Sequence, residues 1–138
     1  MNATAAESGD RATRTVLLRH ELPDGTWHFD WMIERATDVQ RRLLTFRIRW
    51  RVDLAAMGTF GGERAGDHLA AYLDFEGPVS GGRGRVARVA AGRVLRLREG
   101  EGEAEIWVDF GGGVVRGAAR RDAASADSGI WVFSRMPG

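Results

Sequence analysis

From Thr15 onward the chain alternates apolar and polar positions with a period of two. The runs are rich in β-branched and aromatic side chains and are punctuated by glycine. They predict strands over 15–21, 27–35, 43–52, 69–76, 84–90, 93–98, 103–110, 113–120 and 129–135. The expected breaks are Pro23-Asp24-Gly25, Gly61-Gly62, Gly81-Gly82, Ala91-Gly92, Gly100 to Gly102, Gly111 to Gly113, and Asp122 to Ser128. The segments 36–42 and 62–70 each have room for a helical turn, and no run has the pattern of a three-turn amphipathic helix. In 43–52 the faces separate clearly: Phe46, Ile48, Trp50 and Val52 on one side, Arg47, Arg49 and Arg51 on the other. The five tryptophans, Trp27, Trp31, Trp50, Trp107 and Trp131, read as core residues on such strands. Residues 1–14 are small and polar without a period and read as a flexible tail. The expected fold is all-β: one domain over 15–138, a small closed or nearly closed barrel of about six to eight strands with short helical turns only.

Length and composition bound the function. One hundred and thirty-eight residues make one domain, and 43% hydrophobic with 28% charged residues is the balance of a globular protein. Without cysteine there is no disulfide framework, zinc–thiolate site or thiol nucleophile. No apolar run approaches the roughly 18 residues of a membrane span, and the first residues lack the apolar core of a secretory signal. A cytoplasmic protein with no membrane partner is expected. The net charge of +1 announces no global field, yet every one of the 20 basic residues is arginine, able to fork onto carboxylate or phosphate. Arg96 and Arg98 followed by Glu99, Glu101, Glu103 and Glu105 read either as cross-strand ion pairs or as an arginine surface for phosphate. No P-loop, nucleophile elbow or dinucleotide fingerprint is present.

The candidate chemistry gathers on histidine. Strict alternation in 27–34 sends Phe29, Trp31 and Ile33 to one face and His28, Asp30, Met32 and Glu34 to the other. His28 and Asp30, two apart on one strand face, lie about 6–7 Å apart at Cα. The Pro23-Asp24-Gly25 turn makes 15–35 a hairpin, which can bring His20 near His28. Two imidazoles and a carboxylate make a site for Mn²⁺, Fe²⁺ or Zn²⁺; the alternative is a set of hydrogen-bonded surface polar residues. The third histidine, His68, shares a face with Tyr72 and Asp74 if that run is extended, and Tyr72, the single tyrosine, also fits a buried structural role.

These residues carry a resemblance. His20, then His28-Phe29-Asp30 with Glu34, then Asp67-His68 followed by Tyr72 and Phe75-Glu76-Gly77, with Gly81-Gly82-Arg83-Gly84 beyond, resembles the 3′-phosphoesterase domain of bacterial DNA ligase D, most nearly a short stand-alone branch. The similarity covers about 15–98; the later strands align by no motif. It implies a compact β-barrel that removes a 3′-phosphate or 3′-ribonucleotide from nucleic-acid ends, in DNA or a DNA/RNA primer-template, during break repair, with a separate DNA ligase as a candidate partner. His20, His28 and Asp30 would hold a divalent metal, most nearly Mn²⁺. His68 would act on the scissile phosphate as general acid or transition-state stabiliser, and Tyr72 would orient it. The two departures are a first His pair two residues farther apart than in the family, and Met32 where the family has a phosphate-binding arginine. A thioether replaces neither the charge nor the donors of a guanidinium. Arg47, Arg49 and Arg64 are the candidates to supply phosphate binding in its place, with Arg35 also near in sequence.

The expected active face gathers His20, His28, Asp30, His68 and Tyr72 at one mouth of the barrel, rimmed by arginine. A second reading is a catalytically weak or inactive module that binds phosphate or nucleic-acid ends, which Met32 favours. A third, the facial triad of an iron- and 2-oxoglutarate-dependent oxygenase, leaves His20 and the Phe75-Glu76-Gly77 segment without a role.

Overall fold

The computed structural model describes residues 13–37, 42–53, 58–123 and 129–136. Residues 1–12 of the expected tail, most of the expected helical turn at 36–42, and 124–128 of the expected break lie outside them. Among the described residues nine strands follow in order: β1 (Arg14–Glu21), β2 (Trp27–Glu34), β3 (Leu43–Ile48), β4 (Thr59–His68), β5 (Gly77–Pro78), β6 (Arg85–Gly100), β7 (Glu103–Asp109), β8 (Val114–Arg121) and β9 (Ile130–Met136), with a 3₁₀ turn at Ala70–Leu73. All pairings are antiparallel. The order β1-β2-β3-β4-β9-β8-β7-β6 returns to β1 through a β6–β1 pairing, making a nearly closed ring of eight strands with β5 appended to β6. Among the described residues no helix is long and apolar enough to cross a membrane.

The alternation decides which side chains fill the ring. Leu17, Phe29, Trp31, Ile33, Phe46, Ile48, Ile106, Val108, Trp131 and Phe133 point inward and pack together. The outward face of β1 and β2 is buried as well. Val16, Leu18, Met32 and Leu43 form a second cluster with Leu73, Val79 and Val86, so the chain from the 3₁₀ turn to the start of β6 lies over the hairpin as a flap. The run Val16-Leu17-Leu18 is apolar on consecutive positions for that reason: both of its faces are covered. Inside, Trp31 Nε1 donates to Thr15 Oγ1 at 2.9 Å, and that hydroxyl donates to the Met32 carbonyl at 2.9 Å, so the indole enters the core with its polar atom satisfied.

Several expectations are corrected, two of them through glycine. Gly61-Gly62 is no break but part of β4. A Cβ at Gly62 would meet Ile48 Cγ2 at 2.8 Å and Phe133 Cε1 at 2.9 Å, so glycine is there for close approach within a strand. The chain therefore turns later, and 69–76 is a 3₁₀ turn and loop where a strand was expected. Ala91-Gly92 is likewise continuous: β6 runs sixteen residues without interruption. Its first half pairs with β1 and its second with β7, and Arg93 is partner to both Arg14 and Asp109. A Cβ at Gly92 would run into the Asp109 carbonyl, so glycine lets the strand cross from one neighbour to the other. At the N-terminal side the order begins before the expected boundary at 15, with Arg14 in β1 and the Thr13 carbonyl accepting from Val94 N at 2.9 Å.

Candidate metal centre

A tight turn sets the register of the β1–β2 hairpin. Asp24 Oδ1 accepts from Thr26 N at 2.9 Å and Thr26 Oγ1 at 2.6 Å, Gly25 takes a φ of 88°, and Leu22 N donates to the Thr26 carbonyl at 2.8 Å. His20 then pairs directly with His28, and Leu18 with Asp30. Paired residues share a face, so His20, His28 and Asp30 stand together on the outward wall of the hairpin. The expected position at a barrel mouth is corrected to this wall.

The three side chains converge. One ligand atom from each, among His20, His28 and Asp30, lies within 4.8 Å of the others. His20 Nδ1 is 3.4 Å from Asp30 Oδ2, and His28 Nε2 is 3.2 Å from Asp30 Oδ1. The Asp30 side chain is 6% exposed. His20 Nε2 lies 2.7 Å from the Arg83 carbonyl. A carbonyl only accepts, so Nε2 carries the hydrogen and donates it, and a neutral His20 turns an Nδ1 lone pair toward the carboxylate. His28 Nε2 is buried and makes no hydrogen bond despite its nearness to Asp30, because the geometry is off line. Two ring nitrogens and a carboxylate thus face one another, with no hydrogen bond between His28 and Asp30. A cation would satisfy all three groups at once. Ligands at about 2.1 Å from one ion stand no more than about 4.2 Å apart, so the cluster fits an ion after contraction by about half an ångström. A backbone carbonyl holding the far nitrogen of a ligating imidazole is the usual outer support of such sites.

That carbonyl comes from the glycine-rich turn. Val79 N donates to the Gly84 carbonyl at 2.8 Å, and Arg83 Nε donates to the Ser80 carbonyl at 2.8 Å. Gly84 has a φ of 85° and abuts the Glu21 backbone where a Cβ would clash. The turn braces the hairpin end against His20.

The other predicted residues fall in different places. Arg47 pairs in register with Asp30 and faces the same side, on a strand next to the cluster. Its Nη1 lies 3.7 Å from Glu63 Oε1, with the two side chains 48% and 52% exposed. Arg49 lies over the Trp27 ring, Cζ 5.2 Å from its centroid. Arg64 is committed elsewhere: Nη2 is 3.0 Å from Asp67 Oδ1 and Nη1 donates to the Ala65 carbonyl. Arg35 is held by Glu99 at 2.6 Å and Asp67 at 2.8 Å, contacts that raise its pKa further above the ordinary guanidinium value. His68 pairs with Leu43, two rows of the sheet beyond Asp30, about 13 Å along the strands. Its Nδ1 is 2.9 Å from the Gly66 carbonyl, and its ring meets that of Tyr72 edge-on at 5.3 Å. Tyr72 in turn packs on the second apolar cluster. The structure therefore brings His20, His28 and Asp30 together with Arg47 beside them, and sets His68 and Tyr72 farther along the same face. The expectation of five buried tryptophans is also corrected: Trp31 and Trp131 are core, while Trp50 is exposed and Trp107 faces outward under Arg116. Compared with protein-family models and with curated proteins, the chain finds no match.

Proposed function

We propose that the chain is a divalent-metal phosphoesterase, most nearly Mn²⁺-dependent, acting on the 3′ ends of nucleic acids in DNA break repair alongside a separate ligase. The observation that carries the reading is the convergence of His20 Nδ1, His28 Nε2 and the Asp30 carboxylate, with His28 Nε2 buried and unbonded. The reaction class and the substrate rest on the resemblance of 20–84 to the ligase D phosphoesterase domain. When bound, the ion would neutralise phosphoryl charge and lower the pKa of a water nucleophile. His20, His28 and Asp30 hold it. The Arg83 carbonyl fixes which His20 nitrogen is presented. Arg47 supplies the guanidinium that position 32 lacks. Its half-exposed contact with Glu63 costs little to exchange for a phosphate oxygen. His68 and Tyr72 lie farther along the same face, beyond Met32, with His68 Nδ1 turned to the Gly66 carbonyl and its ring edge-on to that of Tyr72.

Calorimetry with Mn²⁺ on the wild type and on His28→Ala, together with release of phosphate from a 3′-phosphorylated oligonucleotide, tests the reading. Binding that His28→Ala abolishes, with phosphate release, is expected. Site-dependent binding without release supports the second reading, a phosphate- or end-binding module, which the absence of arginine at position 32 favours. A wild type that binds no metal overturns the metal-dependent reading.

A further inference from the structure

We propose that the ring end beside the metal-binding cluster grips single-stranded nucleic acid, with Trp50 as a base-stacking face and Arg49 as a phosphate contact. The inference rests on the reading of the chain as one that acts on nucleic-acid ends. It assigns the surface that holds the strand apart from the phosphate that reacts.

Trp27 immediately precedes His28 but faces the other side of the sheet, packing against the inner core beside Phe29, so the groups over its ring sit at the end of the ring, across β2 from the cluster. Two guanidiniums cover its ring: Arg19 Cζ at 4.7 Å and Arg49 Cζ at 5.2 Å from the centroid. Stacking on an indole holds a guanidinium in place while leaving its N–H edges for a ligand. Arg49 has no carboxylate partner among the described residues. Arg19 meets Glu21 at 3.4 Å with both side chains about half exposed, a contact that an anion can replace. Trp50 follows Arg49 directly and is 53% exposed, with its ring 6.3 Å from that of Phe60. Phe60 is itself fixed by stacking on Phe133 at 5.2 Å. The indole is thus anchored at its base and open on the other side. A lone exposed tryptophan would carry no meaning. An anchored indole beside a guanidinium without a carboxylate partner among the described residues, and a second loosely paired one, all at the ring end where β2 also carries His28, matches a strand with its bases unstacked. Each base offers an aromatic face and each link an anion. A duplex, whose base faces are already stacked, cannot use the indole.

The test is fluorescence anisotropy of a labelled oligothymidylate that lacks a 3′-phosphate, in EDTA. The wild type is expected to bind it more tightly than the corresponding duplex. Trp50→Ala should weaken binding about five-fold or more, and Trp50→Phe should restore most of it. Arg49→Ala should flatten the slope of log affinity against log salt by about 0.7. Circular dichroism confirms that these exposed substitutions leave the fold intact. Binding by Trp50→Ala and Arg49→Ala equal to that of the wild type overturns the proposal, as does a wild type that binds nothing or prefers duplex. Because metal and 3′-phosphate are both absent, the result is separate from the calorimetry. Loss of strand binding with Mn²⁺ binding intact overturns this surface alone. Strand binding without Mn²⁺ binding overturns the metal-dependent reading alone.

Discussion

At position 32 the outward face of β2 has no opening to water. Met32 is 1% exposed among Leu18, Leu43, Leu73 and Val79, and a guanidinium there would bury an unpaired charge. Methionine at this position is a packing residue under the flap. A cation on the same face is Arg47, in register with Asp30. Arg47→Ala is therefore expected to lower kcat/KM for 3′-phosphate release by about 10²–10³, the usual effect of losing one preorganised charge contact. Mn²⁺ affinity by calorimetry should stay unchanged. Equal activity in Arg47→Ala and wild type would remove Arg47 from the site. Much of the cluster is legible in the sequence. Period two alone puts His28 and Asp30 on one face, and the turn at Asp24-Gly25 brings His20 to them. Two of its parts are not. The Arg83 contact uses a backbone carbonyl, which every residue carries, and the pairing of Arg47 with Asp30 depends on the β2–β3 register across a connection that residue spacing leaves free.

Among the elements, glycine has opposite meanings that local sequence does not separate. Gly25 and Gly84 carry positive φ in turns, and there punctuation is the right reading. Gly62 and Gly92 are extended residues whose missing Cβ admits a neighbour, and the neighbours, Phe133 and the Asp109 carbonyl, are far away in sequence. For this reason two expected breaks are strand interior, and one expected strand is a 3₁₀ turn. The inward residues of β2, β3 and β7 were readable because one face of each meets only the core. Gly92→Ala is expected to destabilise the protein by about 1–3 kcal/mol, since its Cβ meets backbone, which cannot swing aside. Gly66→Ala, in open space, should change stability by no more than about 0.5 kcal/mol. Urea unfolding of the two variants makes the comparison, and equal midpoints would contradict the crossing role of Gly92.

For the whole molecule, the ion network around Arg35 fastens the ring at the end away from the cluster. Arg35 follows β2, Asp67 ends β4 and Glu99 is near the end of β6, so one guanidinium joins three walls. Burial pushes the Asp67 carboxyl up, but the hydrogen bonds and charges of Arg35 and Arg64 outweigh it and hold it below the usual carboxylate value. A carboxyl depressed in the folded state stabilises it fully above the ordinary value, near pH 4, and the contribution is lost as pH falls through the folded value. Asp67→Asn is therefore expected to cost about 1 kcal/mol at neutral pH, and the difference from wild type should shrink below pH 4. Unfolding in urea over a pH series reads this. A gap that widens with acid would reverse the assignment.

The pairing of β6 with β1 also orders events in time. His20, His28 and Asp30 span eleven positions of one hairpin, whose strands meet across a short turn. The partner strand that closes the ring pairs Glu21 with Arg85, more than sixty residues away. Hairpins form in about 1–10 μs, whereas contacts of such separation form late because the chain entropy of the long loop comes first. His20, His28 and Asp30 are thus neighbours from an early stage of folding. The Arg83 carbonyl that accepts from His20 Nε2 arrives only as the ring closes, so the hairpin alone leaves the His20 tautomer open and ring closure fixes it.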